Sequence, residues 1–271
     1  MKFNAETDKV AEQFDYCQTT FESIDKKEKY INYGYKLKFG EPLETRQAQL
    51  CKEVFAAAEI QPDDVLVDVG FGSGEQDLLL ARTYPFKKLY GFNISQKQVD
   101  YANRRAQEEK LDDRLSFHYG EAENMSSLAD ESVNKILAVE CVMHFERPRF
   151  YKEAARVLKP GGLLVLSDVS FAAPMRPITG MKEDLRRLGT YGNNKKVWEE
   201  HLDTKSSRRI NSRTWQGAQQ AANAIIKNLV TVKDKKERKT WVNLAISSQI
   251  LVVGLISRAM RYDLIVLQKK A

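Results

Sequence analysis

Two periods alternate along the chain. Short, nearly unbroken apolar runs lie at Val65–Val69, Lys88–Phe92, Leu115–Tyr119, Val133–Val139 and Leu163–Ser167, as strands covered on both faces do. Between them, apolar positions recur every three or four residues, the spacing of a helix with one buried stripe. Pro42 suits a helix start and is followed by Leu43, Leu50, Val54, Phe55 and Ala58; Val99, Ala102 and Ala106 follow Ser95-Gln-Lys-Gln98, which fits a capping box. A further helix runs from Pro148 to Lys159 and is stopped by Pro160-Gly161-Gly162. Strand–helix alternation of this kind predicts an α/β fold around a parallel sheet. Helices are expected over 213–227 and about 236–259, with a sixth strand at Leu229–Lys233 and a seventh at Tyr262–Leu267. Three regions are expected: an N-terminal helical cap or lid (1–60), a core (61–271), and within it a basic insertion (171–212) after the fifth strand.

The first run breaks into glycines at alternate positions, Asp68-Val-Gly70-Phe-Gly72-Ser-Gly74, followed by helix formers. Strand, glycine loop and helix form the first unit of a Rossmann-like sheet, where a nucleotide-like ligand lies across the carboxyl ends of the strands. Glycine allows positive φ there and lets the backbone approach the ligand. The dinucleotide fingerprint wants a third glycine at position 75, which is Glu. Asp-x-Gly-x-Gly-x-Gly instead resembles the first motif of the class I S-adenosylmethionine-dependent methyltransferases. The resemblance implies a Rossmann-like seven-stranded, mostly parallel sheet flanked by helices and S-adenosyl-L-methionine as cofactor. It assigns Asp68 to the methionine ammonium and the loop of Gly70, Gly72 and Gly74 to the ligand's length.

Three further segments extend the resemblance over roughly residues 30–170. Asn93 ends the second strand where an acid commonly holds the ribose hydroxyls; its amide brings no charge, and Gln98 is placed to assist. Gly120-Glu121-Ala122 resembles the family's Gly-Asp-Ala segment, with Glu121 as acceptor for the adenine amino group and Met125 as a wall of the ring site. The run Phe150 to Gly162 resembles a later family segment. Asn32-Tyr33-Gly34-Tyr35 resembles a segment ahead of the first motif in several small-molecule members. The N-terminal rings, Phe14, Tyr16, Phe21 and Tyr33 among them, either pack locally or close over the ligand, where cation–π attraction to a sulfonium is available.

Charge is unevenly spread. Residues 171–271 hold 20 Lys/Arg against 8 Asp/Glu, and the remainder 23 against 29. Arg186, Arg187, Arg208, Arg209 and Arg213 lie in or beside the insertion, either as a solvated surface or as a grip on an anionic or lipid-like acceptor. Cys17, Cys51 and Cys141 fit neither a disulfide framework nor a zinc site. No signal peptide or spanning segment is legible, so the expected setting is cytoplasmic.

Methyl transfer from a sulfonium is an in-line displacement that needs alignment and exclusion of water; no metal is expected. His144, after the fourth strand, suits the base that takes a hydroxyl proton. Glu-x-x-x-His at this point resembles sugar O-methyltransferases, which implies that His144 and Asp168 face the acceptor. Glu140 has a counterpart in sterol and tocopherol C-methyltransferases, where a carboxylate and aromatic faces stabilise a carbocation. The expected activity is methylation of a small-molecule hydroxyl or amine, with C-methylation of a prenyl or sterol-like alkene as the alternative. An RNA substrate is disfavoured by the lack of an Asn-Pro-Pro-Tyr-like segment, and a dehydrogenase by the glycine spacing.

Overall fold

The computed structural model describes residues 7, 8, 10–12, 14, 15, 30–173, 187–230 and 232–270. A seven-stranded sheet runs through the molecule in the order β3-β2-β1-β4-β5-β7-β6. Its strands are β1 (Val65–Val69), β2 (Lys88–Asn93), β3 (Leu115–Tyr119), β4 (Val133–Val139), β5 (Leu158–Phe171), β6 (Leu202–Arg209) and β7 (Met260–Lys269). The first five pair in parallel, and β7 pairs antiparallel to both β5 and β6. The expected seven-stranded, mostly parallel sheet is therefore present, and its order reverses at β1, which puts the glycine loop at the switch point where ligands lie.

Helices α1 (Leu43–Ala57), α2 (Glu75–Thr83), α3 (Gln96–Glu108), α4 (Arg147–Val157), α5 (Tyr191–Glu199), α6 (Asn211–Leu229) and α7 (Lys235–Ile256) cover the sheet. One layer of core joins α1, α2, α3, α6 and α7 through Leu50, Leu78, Ala102, Ala218 and Leu251; the opposite layer joins α4 and α5 through Phe150 and Trp198. Residues 7–15 are helical where described, and 30–42 run irregularly into α1.

Three boundaries differ from expectation. The sixth strand is Leu202–Arg209, not Leu229–Lys233, which lies at the junction of α6 and α7. β6 has the charged, exposed alternation of an edge strand (only Leu202 is buried), so no apolar run announced it. β5 begins at Leu158, because the chain pairs there with Val133 and continues past a register shift through Pro160-Gly161-Gly162. Asp168 consequently lies inside a strand rather than at its end. Of the expected insertion, 187–209 contributes α5 and β6, whereas Pro174, Pro177, Gly180 and Arg186 lie outside the described residues, as do Tyr16, Cys17 and Phe21. No helix among the described residues is long and apolar enough to cross a membrane.

Candidate active site

The glycine loop turns tightly out of β1. Gly70, Gly72 and Gly74 have φ of 65°, 58° and 77°. A Cβ on Gly70 would come 2.7 Å from Cys141 Cβ, and one on Gly74 2.7 Å from Ala102 Cβ, so the loop is clamped between the turn after β4 and helix α3. At Gly72 the nearest atom, on Ile31, would be at an ordinary 3.6 Å, and the φ alone favours glycine there. Glu75, which breaks the dinucleotide spacing, is buried and bonds Arg105 Nε at 2.9 Å and Tyr101 Oη at 3.2 Å, fastening α2 to α3.

Asp68 is fully buried, and its Oδ2 accepts from Gln76 Nε2 at 2.5 Å, while Oδ1 has no hydrogen-bond partner among the described residues. Burial pushes its carboxyl up to about 6, against the pull of the hydrogen bonds it receives. At the end of β2, Asn93 Nδ2 donates to Gln98 Oε1 at 2.8 Å and to the Gly72 carbonyl at 3.3 Å, and its Oδ1 accepts from Ser95 N. The capping box is thus half formed. Ser95 Oγ accepts from Gln98 N, but the Gln98 side chain reaches Asn93 instead of the cap. Gln98 Nε2 is left buried and unpartnered among the described residues. The orphaned Asp68 oxygen matches an ammonium and the orphaned Gln98 amide a hydroxyl, so the loop fits an adenosyl amino acid. Glu121 stays half-buried after β3, whereas Met125 is fully buried in the core with Phe92 and Phe150.

Glu140 and His144 share the turn after β4. Cys141 Sγ donates to the Val69 carbonyl at 3.0 Å, which presses this turn onto the glycine loop. Glu140 has φ 57°, a left-handed backbone unusual for a side-chain-bearing residue. Its Oε2 accepts from Tyr33 N at 2.9 Å and from Tyr262 Oη at 2.5 Å. Burial raises its carboxyl to about 8 and nearby Asp168 adds to the rise, while the bonds from Tyr262 and Tyr33 oppose it. His144 is half-buried in a single 3-10 turn, with the Phe14 ring edge-on to its imidazole at 5.3 Å. Asp15, beside Phe14, accepts from Ser95 Oγ, so the N-terminal helical residues touch both banks of the loop.

Asp168 is bound bidentately by Arg147, at 2.6 and 3.3 Å, and both are buried. Across the ladder it pairs with Asp263, whose carboxylate is taken by Arg261 at 2.8 Å. Arg208 bonds Glu53 and Tyr35 Oη, and Arg213 lies over the Tyr35 ring, both on the α1 side. No group of three His, Cys, Asp or Glu that could hold a metal occurs among the described residues. Four residues of this neighbourhood were not singled out by the sequence: Gln76, Asp77, Arg147 and Tyr262. Gln76 and Asp77 carried a signal, two polar residues on the turn of a helix that must pack on the sheet. Arg147 and Tyr262 carried none, because the sequence does not say which position of a helix start or of an antiparallel strand will face the site.

With this geometry in view, the sequence of residues 67–166 matches the family described as a methyltransferase domain. Residues 67–166 carry a methyltransferase domain. The sequence is 36% identical over 141 residues to the erythromycin 3''-O-methyltransferase of Saccharopolyspora erythraea, covering 52% of this chain and 46% of that protein. It is 31% identical over 160 residues to the 27-O-demethylrifamycin SV methyltransferase of Amycolatopsis mediterranei, covering 59% and 58%. The chain spans about half the length of the curated relatives it matches. A sterol 24-C-methyltransferase of Debaryomyces hansenii is 31% identical over 159 residues, 55% of this chain and 41% of that protein. The fold extends beyond the methyltransferase domain. The [4+2]-cyclase SpnF superposes with a TM-score of 0.83 at 21% identity, over 97% of this chain and 95% of that one. The geranyl diphosphate C-methyltransferase of Streptomyces coelicolor A3(2), solved with Mg2+, geranyl diphosphate and S-adenosyl-L-homocysteine, gives 0.77 at 15% identity over 99% and 100%.

Proposed function

We propose that the chain transfers the methyl of S-adenosylmethionine to a hydroxyl of a small natural-product acceptor, with His144 as general base. The observation that carries this reading is the turn from Glu140 to Phe145, pressed against Gly70 and holding the imidazole at the carboxyl edge of the sheet. The two antibiotic O-methyltransferases named above support the acceptor class. Bound at the loop, the cofactor supplies a methyl already activated by the sulfonium charge. Asp68 receives the ammonium, Gln98 and Asn93 the ribose edge, and Glu121 the adenine amino group, while the left-handed turn at Gly72 lets the backbone run along the ligand. Tyr33 and Phe14 line the approach and exclude water. His144 takes the hydroxyl proton as the acceptor oxygen closes on the methyl, a contribution of about 10²–10⁴ in rate. Asp168, held by Arg147, orients the α4 end of the site rather than exchanging protons.

A second reading rests on Glu140. Once ionised, the Glu140 carboxyl enclosed by Tyr33 and Tyr262 steadies a carbocation and removes its proton, as C-methylation of an alkene requires; because burial raises it to about 8, this activity should climb as pH rises through that value. A labelled-methyl screen over macrolide and sugar hydroxyls and over prenyl diphosphates separates the two. His144→Ala is expected to lower turnover on a hydroxyl acceptor about 100-fold or more with S-adenosylhomocysteine affinity unchanged. Full turnover in His144→Ala removes the base assignment. Turnover on a prenyl acceptor that is lost in Glu140→Gln and kept in His144→Ala establishes the second reading.

A further inference from the structure

Behind the glycine loop lies a second acid that the reaction does not use. Asp77, in the first turn of α2, is fully buried, and neither of its carboxyl oxygens has a donor among the described residues. The Asp68 and Asp77 carboxyls lie within hydrogen-bonding reach of each other. Around them stand the Gln76 amide, which is committed to Asp68, and the thiols of Cys51 from α1 and Cys141 from the turn after β4, both held well above the ordinary thiol range by burial first. Neither acid has an ion-pair partner among the described residues; Arg82 and Arg105 are committed to Glu109 and Glu75. Two carboxylates this close, dry and without a cation do not both ionise: burial and the neighbouring Asp68 hold Asp77 far above the usual carboxylate range.

We propose that Asp68 and Asp77 share one proton in the unliganded protein and that the cofactor's ammonium displaces it, so that binding releases a proton to solvent. The inference rests on the cofactor reading above, in which the ammonium meets Asp68. Asp77 is a positioning residue that acts through Asp68. Its protonated carboxyl donates to Asp68 while the site lacks a cation, and surrenders the proton when the ligand brings its own positive charge. Charge balances, because the ammonium enters as the proton leaves.

Calorimetric titration of the full chain with S-adenosylhomocysteine, which has the same ammonium, tests this in buffers of different ionisation enthalpy. The binding heat should vary with buffer by an amount corresponding to about one proton released near neutral pH. The dissociation constant should tighten about tenfold per pH unit on the acid side. In Asp77→Asn the amide donates to an Asp68 that is already ionised, and both the buffer dependence and the steep pH dependence should vanish. Binding by the wild-type protein with a heat independent of buffer and a flat pH profile overturns the inference, whether or not the variant folds. Failure of S-adenosylhomocysteine to bind at any pH overturns the cofactor reading instead.

Discussion

Glu140 concentrates the cost of the site in one residue. Its left-handed backbone is disfavoured by about 1–2 kcal/mol for an L side chain, and its carboxyl is enclosed by Tyr33 and Tyr262. Its folded value of about 8 lies above the ordinary 4.5. The native state therefore holds the extra proton through that window, and stability falls as pH rises from about 4.5 to about 8 and levels beyond. Compared with Glu140→Gln, the wild-type melting temperature should drop steadily across this interval; parallel curves for the two proteins would show that the carboxyl is not enclosed. Arg147 makes the opposite contribution. Arg147→Leu strands Asp168, which is only 3% exposed, and should cost about 3–5 kcal/mol in urea unfolding. At this scale the sequence was legible where chemistry follows directly from position. Asp68 and the three glycines belong to one contiguous segment, and His144 follows a strand end. Asp168 was legible as a residue but not in its surroundings, because its partner lies 21 positions away on the start of another helix.

The elements that carry the loop are interlocked by small residues. Gly74→Ala must move Ala102 and adopt a strained φ, and Gly70→Ala must displace Cys141 and with it the turn that carries His144. Each should lose about 1–3 kcal/mol of stability, with Gly70→Ala also weakening S-adenosylhomocysteine binding; a Gly70→Ala protein with wild-type affinity would separate the turn from the loop. The parallel half of the sheet was readable because its central strands read as apolar runs, as β1 does. The antiparallel edge was not, since β6 buries only Leu202 and a polar strand looks like a loop. Leu229–Lys233, richer in β-branched residues, drew the assignment that β6 deserved. Tertiary context overrode propensity there.

For the whole molecule, ligand binding at the switch point should stabilise every layer, because the loop ties β1, α2, α3 and the turn after β4 together. S-adenosylhomocysteine at 100 times its dissociation constant adds about 2.7 kcal/mol, a rise of roughly 5–10 °C in melting temperature for a chain of this size. NAD should give no shift. Within the basic half, Arg208 stands 54% exposed against Glu53, at the polar edge of the sheet. α7 departs from the usual amphipathic plan, since Val242, Ile246, Ile250, Val253 and Ile256 are exposed along one line while Trp241, Leu251 and Leu255 are buried on the other. Helix α6 reaches the site differently. A Cβ on Gly217 would lie 1.8 Å from the Tyr33 carbonyl oxygen, and the same residue's amide holds Glu140. A single methyl added on this outer helix would shove the Tyr33 backbone aside and loosen its grip on Glu140 from behind, so position 217 holds the turn in place by occupying no space at all.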